Sequence, residues 1–215
     1  MTAEEKFQRY YELLTEWNKK FNLTAITEKN EVYVKHFEDS LLGKDFIPQG
    51  ASLCDVGSGA GFPGVVLKIV RPDLQLTLMD SLNKRVEFLK MLLQELELDG
   101  ECLHMRAEDA AKTTLRESFD VVTARAVARL NTLSEYCLPL VRVGGSFLAY
   151  KADAAEECKE SEAAIRILGG RIEQVVHKEL SDGQKRTIIE VKKIKETPKK
   201  YPRGRNKERT SPLSS

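Results

Sequence analysis

Ten residues constrain the fold of this chain more than any others: Asp55-Val56-Gly57-Ser58-Gly59-Ala60-Gly61-Phe62-Pro63-Gly64. They follow a short apolar run at 52–56 and open a helical run at 63–70. Glycines so closely spaced belong where a chain turns sharply from strand to helix and a ligand approaches its backbone. Pro63 suits the first helical turn, where no N–H is missed. Asp80 stands about 20 positions further on, at the end of the next apolar run, where an acidic side chain binds ribose hydroxyls. A turn with no ligand would need four glycines and this aspartate to coincide by chance.

The flanking sequence supplies the sheet that such a turn requires. Strand patterns fall at 52–56, 74–79, 101–105, 119–124 and 145–151, and helical patterns at 63–70, 82–98, 130–141 and 154–168. Repeated strand–helix units predict a doubly wound parallel α/β sheet, because crossover helices must pack on its faces. Two further strands, 171–180 and 186–194, flank a Ser181-Asp182-Gly183-Gln184 turn and read as an antiparallel hairpin. Seven strands are expected in all. Ahead of them lies a helical lobe. Phe7, Tyr10, Tyr11, Leu14, Trp17 and Phe21 recur at helical spacing over 4–21, and a second helix is expected over 30–43. The division is 1–48 for the lobe, 49–196 for the sheet domain and 197–215 for a basic arm.

The charge distribution is uneven. The whole chain of 215 residues carries +1, yet 192–209 alone carries +7. A mildly acidic body with a basic C-terminal arm fits a polyanion partner as well as it fits a solvated end. Lys199, Lys200, Arg203 and Arg205 are the expected phosphate contacts, and cofactor affinity is expected not to depend on them. No apolar run approaches the ~20 residues of a membrane helix, and residues 1–10 have no secretory pattern, so a cytoplasmic location is expected. Cys54, Cys102, Cys137 and Cys158 form no CxxC pair, which argues against a zinc site or a disulfide framework.

Two cofactor classes fit the turn. Gly59, Gly61 and Gly64 satisfy the dinucleotide spacing of a nicotinamide-dependent oxidoreductase. Gly57, Gly59 and Gly61 instead keep the first glycine at the strand end, with Asp55 just before it. This second arrangement resembles the first motif of seven-stranded S-adenosylmethionine-dependent methyltransferases, and the closing hairpin fits that class. S-adenosylmethionine is a cation without a diphosphate, so an acid beside the loop is tolerated.

Further segments occur in a specific order. They are Trp17-Asn18, Phe21-Asn22-Leu23-Thr24, His36-Phe37-Glu38-Asp39-Ser40-Leu41, the glycine turn, Lys84-Arg85 with Phe88-Leu89, Arg106-Ala107-Glu108-Asp109, Thr123-Ala124-Arg125-Ala126-Val127-Ala128, Lys151, and Pro198-Lys199-Lys200-Tyr201-Pro202-Arg203. Together they resemble the bacterial small-subunit ribosomal RNA methyltransferase G family, also called glucose-inhibited division protein B, over nearly the whole chain. The resemblance implies methylation of a guanine N7 in 16S rRNA, with 16S rRNA or the 30S subunit as partner and a monomeric enzyme. It implies S-adenosylmethionine contacts at Gly57, Phe62, Ala107, Glu108 and Arg125, beside the ribose-binding Asp80. The family pattern continues after Tyr-Pro-Arg with Gly-Thr-Pro and more lysines; here Gly204-Arg205-Asn206-Lys207-Glu208-Arg209 follows.

Methylation of N7 removes no proton, so no general base and no metal are expected, and catalysis rests on alignment. The pocket candidates are His36, Asp39 and Arg125. His36 and Asp39 lie three apart and share a helix face. Asp39 is expected to shape the guanine pocket and offset the charge of 7-methylguanine, or to tie the lobe to the sheet. A non-catalytic ribosome-assembly factor that keeps this fold is the alternative outside enzymology.

Overall fold

The structure is a computed structural model that describes residues 1–125 and 127–213. Ala126 of the Thr123–Ala128 motif and the last two residues of the arm lie outside the described residues. Seven strands form one sheet: β1 (Ser52–Val56), β2 (Gln75–Asp80), β3 (Glu101–His104), β4 (Phe119–Arg125), β5 (Val141–Lys151), β6 (Gly170–Glu179) and β7 (Lys185–Lys193). Their order is β3-β2-β1-β4-β5-β7-β6. The first five are parallel; β7 runs antiparallel to β5, and β6 antiparallel to β7. This is the expected doubly wound sheet with a terminal hairpin. The order reverses at β1, so the crevice beyond the C-terminal ends of β1 and β4 is where ligands bind in such folds.

Alternation along the central strands divides the core. Leu53, Val121, Leu148 and Ile188 point to one face. There α1 (Ala3–Phe21), α4 (Gly64–Val70) and α5 (Asn83–Glu95) cover them. Cys54, Val122, Phe147 and Ile189 point to the other, under α7 (Leu130–Cys137) and α8 (Ala155–Ile167). A period of two puts neighbouring residues on opposite faces, so one strand feeds both cores.

α1 begins with a capping box. Thr2 Oγ1 accepts from the Glu5 N–H (3.2 Å), and Glu5 Oε2 accepts from the Thr2 N–H (2.7 Å). Its buried stripe is Tyr10, Leu13 and Leu14. The second expected helix is present as α2 (Lys29–Val32), a π-helical turn (Tyr33–Glu38) and α3 (Asp39–Leu41). Nothing in the sequence signals that wider turn, which carries His36; such insertions are frequent at functional sites. The helix expected over 130–141 is shorter, because α7 ends at Cys137 and a single 3-10 turn spans Leu138–Leu140. Pro139 has no N–H to continue the α ladder, and Val141 already begins β5.

Candidate active site

The glycine turn is fastened to β2. Gly57 N–H and Ser58 N–H both donate to the Met79 carbonyl (2.8 and 3.1 Å). Gly59 N–H donates to Asp80 Oδ2 (2.9 Å), while Asp80 Oδ1 accepts from the Leu82 N–H (2.9 Å). Gly57 has φ +69°, and a Cβ there would stand 2.7 Å from Val127 Cγ2. Gly59 has φ +58°, and the nearest atom to an added Cβ is a backbone oxygen 3.9 Å away. That second position is open because it faces the cleft.

Asp55 does not face the cleft. It is fully buried, accepting from the Gly64 N–H (3.1 Å) and the Thr123 hydroxyl (2.8 Å). Burial raises its carboxyl to about 6, against the pull of those bonds. Its task is to hold the turn between β1 and α4. The acid thus sits beside the loop as expected but points away from the cleft, which Asp80 and Glu108 line instead.

Two adjoining cavities, about 350 and 390 Å³, share Gly57, Asp80, Ser81, Val127 and Arg209. The first extends past Phe62 to His36 and Arg125. The second extends past Met105 to Ala107 and Glu108. All six residues expected to bind the cofactor thus line one cleft at the switch point of the sheet.

Arg125, the last residue of β4, is held on every side. Nη1 donates to Asp39 Oδ2 (2.6 Å) and the Lys35 carbonyl (3.2 Å), and Nη2 donates to His36 Nδ1 (3.1 Å). Its guanidinium lies 4.9 Å from the Phe62 ring centre, and His36 stacks on the same ring at 4.4 Å. Tyr10 stacks on Phe62 at 5.3 Å, and its hydroxyl donates to the Ala60 carbonyl (2.6 Å). The helical lobe thereby clamps the glycine turn. With Nδ1 accepting from Arg125, a neutral His36 carries its proton on Nε2 and donates it to Thr24 Oγ1 (2.8 Å). Asp39 Oδ1 accepts from Arg186 Nε (3.1 Å). Paired with two arginines, Asp39 ties the lobe to the sheet, one of the two roles expected for it. Arg186 went unassigned from the sequence, where it is one more basic residue in a hairpin strand.

Burial and the neighbouring Arg125 charge lower the His36 imidazole to about 3. An unfolded histidine titrates near 6.5. Above that pH both states are neutral; between about 6.5 and 3 only the unfolded chain takes up a proton, so stability falls as pH falls. His36 should cost the native state about 1 kcal/mol by pH 5.5. Urea midpoints of wild type and His36→Gln at pH 7.5 and 5.5 check this: the variant should lose less on acidification. Equal losses would mean that His36 protonates normally in the fold.

The basic arm folds back onto the sheet domain. Arg116 donates to the carbonyls of Thr197 (2.7 Å) and Tyr201 (3.0 Å), and Tyr201 is buried. Arg203 pairs with the buried Glu135 (2.7 Å), and Lys193 is buried with its ammonium on Glu117 (3.0 Å). Arg203 is therefore committed inside the fold and is removed from the expected phosphate contacts. Lys199, Lys200 and Arg205 remain exposed. Asn206 and Arg209 line the cleft, which brings the arm up against the residues expected to bind the cofactor. Among the described residues no His, Cys, Asp and Glu cluster could hold a metal ion, and no helix is long and apolar enough to cross a membrane.

Comparison with known proteins agrees with this geometry. Residues 3–189 match the family described as rRNA small subunit methyltransferase G. The ribosomal RNA small subunit methyltransferase G of Staphylococcus epidermidis is 52% identical over 219 residues, covering 99% of this chain and 91% of that protein. Its Staphylococcus aureus (strain Newman) counterpart is 49% identical over 217 residues, with the same coverage. Among solved structures, a ribosomal protein L11 methylase from Lactobacillus delbrueckii subsp. bulgaricus aligns with TM-score 0.58 at 14% identity, over 75% of this chain and 79% of that one. A SAM-dependent methyltransferase from Aquifex aeolicus aligns with TM-score 0.57 at 19% identity, over 76% and 93%. The structural likenesses show the fold, and the match along the sequence shows the family: this chain belongs to the rRNA small subunit methyltransferase G family.

Proposed function

We propose that the cleft binds S-adenosylmethionine and that the cavity on the far side of Arg125 receives a guanine of 16S rRNA, whose N7 takes the methyl group. Family membership carries the coarser activity: an S-adenosylmethionine-dependent methyltransferase of small-subunit rRNA. The observation that supports the finer reading is a pair of cavities separated by one wall. Phe62, His36 and Arg125 line the cofactor side. His36 and Arg125 also line a cavity of about 460 Å³ with Asp39, Tyr150, Lys151 and Arg186.

The residues suit the cofactor. Gly57 and Gly59 leave a cradle that a Cβ would fill. Asp80 ends β2 beside it, with the carboxylate that ribose hydroxyls require. Ala107 and Glu108 line the half of the cleft past β3, as an adenine site would. The cofactor's contribution is an electrophilic methyl group on a sulfonium sulfur. The protein's contribution is position. Phe62 is fixed between Tyr10 and His36, and Arg125 is fixed by Asp39, so the wall between the cavities is rigid. Guanine N7 presents a lone pair and loses no proton, and His36 is held neutral. Proximity and orientation then carry the rate. Exposed Lys199, Lys200 and Arg205 are placed to meet RNA phosphates. The assembled 30S subunit is the proposed form of the substrate, and the protein acts as a monomer.

Incubating the protein with labelled S-adenosylmethionine and either 30S subunits or free 16S rRNA tests this. Mass spectrometry of the digested RNA should find 7-methylguanine, with more incorporation into 30S. Binding to 30S without incorporation would support the assembly-factor alternative, and a methyl group on another atom would overturn the N7 assignment. A second expectation concerns the cofactor alone. Asp80→Ala should weaken S-adenosylmethionine binding by about 1–3 kcal/mol, the cost of a lost charged hydrogen-bond acceptor. An unchanged dissociation constant by calorimetry would remove Asp80 from the site.

A further inference from the structure

The C-terminal segment is pinned at two points beside the cleft. Glu135 on α7 is fully buried and accepts from the Arg203 N–H (2.9 Å) and guanidinium (2.7 Å). Glu208, in α9 (Lys207–Thr210), is also fully buried. Its carboxylate accepts from the Gly204 N–H, and its carbonyl accepts from Thr132 Oγ1 on α7 (2.8 Å). Buried carboxylates are costly unless bonded; Glu135 has both oxygens bonded and Glu208 one, its Oε2 having no partner among the described residues, and these bonds hold the segment against α7. The next residue is Arg209. Its side chain turns back to donate to the Val127 carbonyl (3.3 Å) and lines both cavities of the cofactor cleft.

Three other arginines line the same cleft, and each has a carboxylate. Arg85 lies 3.6 Å from Asp80, Arg106 lies 3.7 Å from Glu108, and Arg125 lies 2.6 Å from Asp39. Among the described residues Arg209 has no carboxylate within salt-bridge distance. A guanidinium beside a sulfonium is repelled unless an anion lies nearer. The one anionic group of S-adenosylmethionine is the carboxylate of its amino-acid end. We propose that Arg209 binds this carboxylate, and that the pinned C-terminal segment is the outer wall of the cofactor cleft. The inference rests on the cofactor reading above and extends it to a residue beyond the matched family region, which ends at 189.

Calorimetry of the full-length protein separates the two readings. The probes are S-adenosylhomocysteine, which keeps the carboxylate, and 5′-methylthioadenosine, which lacks the whole amino-acid end. Arg209→Ala should weaken S-adenosylhomocysteine about tenfold or more, the loss of one charge-assisted contact, and leave methylthioadenosine unchanged. Arg209→Lys should fall between, because it keeps the charge without the fork. Arg171→Ala, an exposed charge on the outer strand β6, should match wild type. The Arg209 side chain is exposed, so the ligand-free thermal midpoint should not move in Arg209→Ala. Wild-type affinity for S-adenosylhomocysteine in Arg209→Ala, or equal losses for both probes, overturns the inference. A wild type that binds neither probe overturns the cofactor reading itself, and the inference with it.

Discussion

Gly59→Val is expected to give a folded protein that has lost methyl transfer by about a hundredfold or more. The two halves of that expectation have different causes. Folding survives because the position is uncrowded: an added Cβ finds nothing closer than a backbone oxygen at 3.9 Å. The backbone is left-handed at φ +58°, so a β-branched residue adds strain of about 1–3 kcal/mol. A domain with two full cores can absorb that. Activity does not survive, because the valine methyls enter the cavity that the cofactor must fill, and a displacement of about 1 Å at a reacting centre costs about 10²-fold. Circular dichroism and a methyl-transfer assay read the two halves separately. A folded, fully active variant would mean that this turn is not the cofactor site. Gly57 makes the contrast: a side chain there would strike Val127 at 2.7 Å, so its replacement should disturb the protein as well as the ligand.

Asp39→Ala is expected to be the most destabilising single change at the site, by about 3 kcal/mol. Asp39 is buried and bonded to Arg125 at 2.6 Å and Arg186 at 3.1 Å. Removing one member of a buried ion pair leaves uncompensated charge, at a cost of about 3–5 kcal/mol. Both guanidiniums retain some contact with water, which places the expectation at the lower end. Urea unfolding should show a lower midpoint with an unchanged slope. Asp39→Asn should recover part of the loss, since an amide oxygen still accepts from one arginine. Cofactor affinity should fall less than RNA methylation, because Arg125 loses its anchor while Gly57 and Asp80 keep theirs. Wild-type stability in Asp39→Ala would mean that the two arginines find water or other partners, and that the lobe is tied to the sheet by apolar packing alone.

Much of the architecture was legible from local pattern. Strand and helix alternation, the closing hairpin and the turn at Gly57–Gly64 each rest on residues close together in the chain. Their chemistry is local as well: glycine permits a positive φ, and alternating side chains select a face. Asp80 was placed by its distance from the turn, and the cofactor residues by resemblance; all of them line the same cleft. The π-helical turn at His36 gave no signal, because the spacing of apolar residues there suits an ordinary helix equally well.

Asp55 shows where local reading stops. Its place beside the loop was evident, but the direction of its side chain depends on Thr123, 68 positions away across β4. The arm shows the same limit more strongly. Its charge was plain in the composition, and a run of cations next to a net-acidic body suits a free tail. Whether it is free depends on the buried Glu135 and the half-buried Glu117 meeting the chain where it returns. The sequence by itself determined the secondary elements, their order and the chemical type of the cofactor turn, since all of these follow from short-range periodicity and backbone freedom. Only the tertiary structure decided which charges are spent. Asp39 meets Arg186 across 147 residues, and Arg203 meets Glu135 across 68. Such pairs form only where the closed sheet brings distant segments together away from water, because exposed pairs are too weak to leave a pattern in the chain.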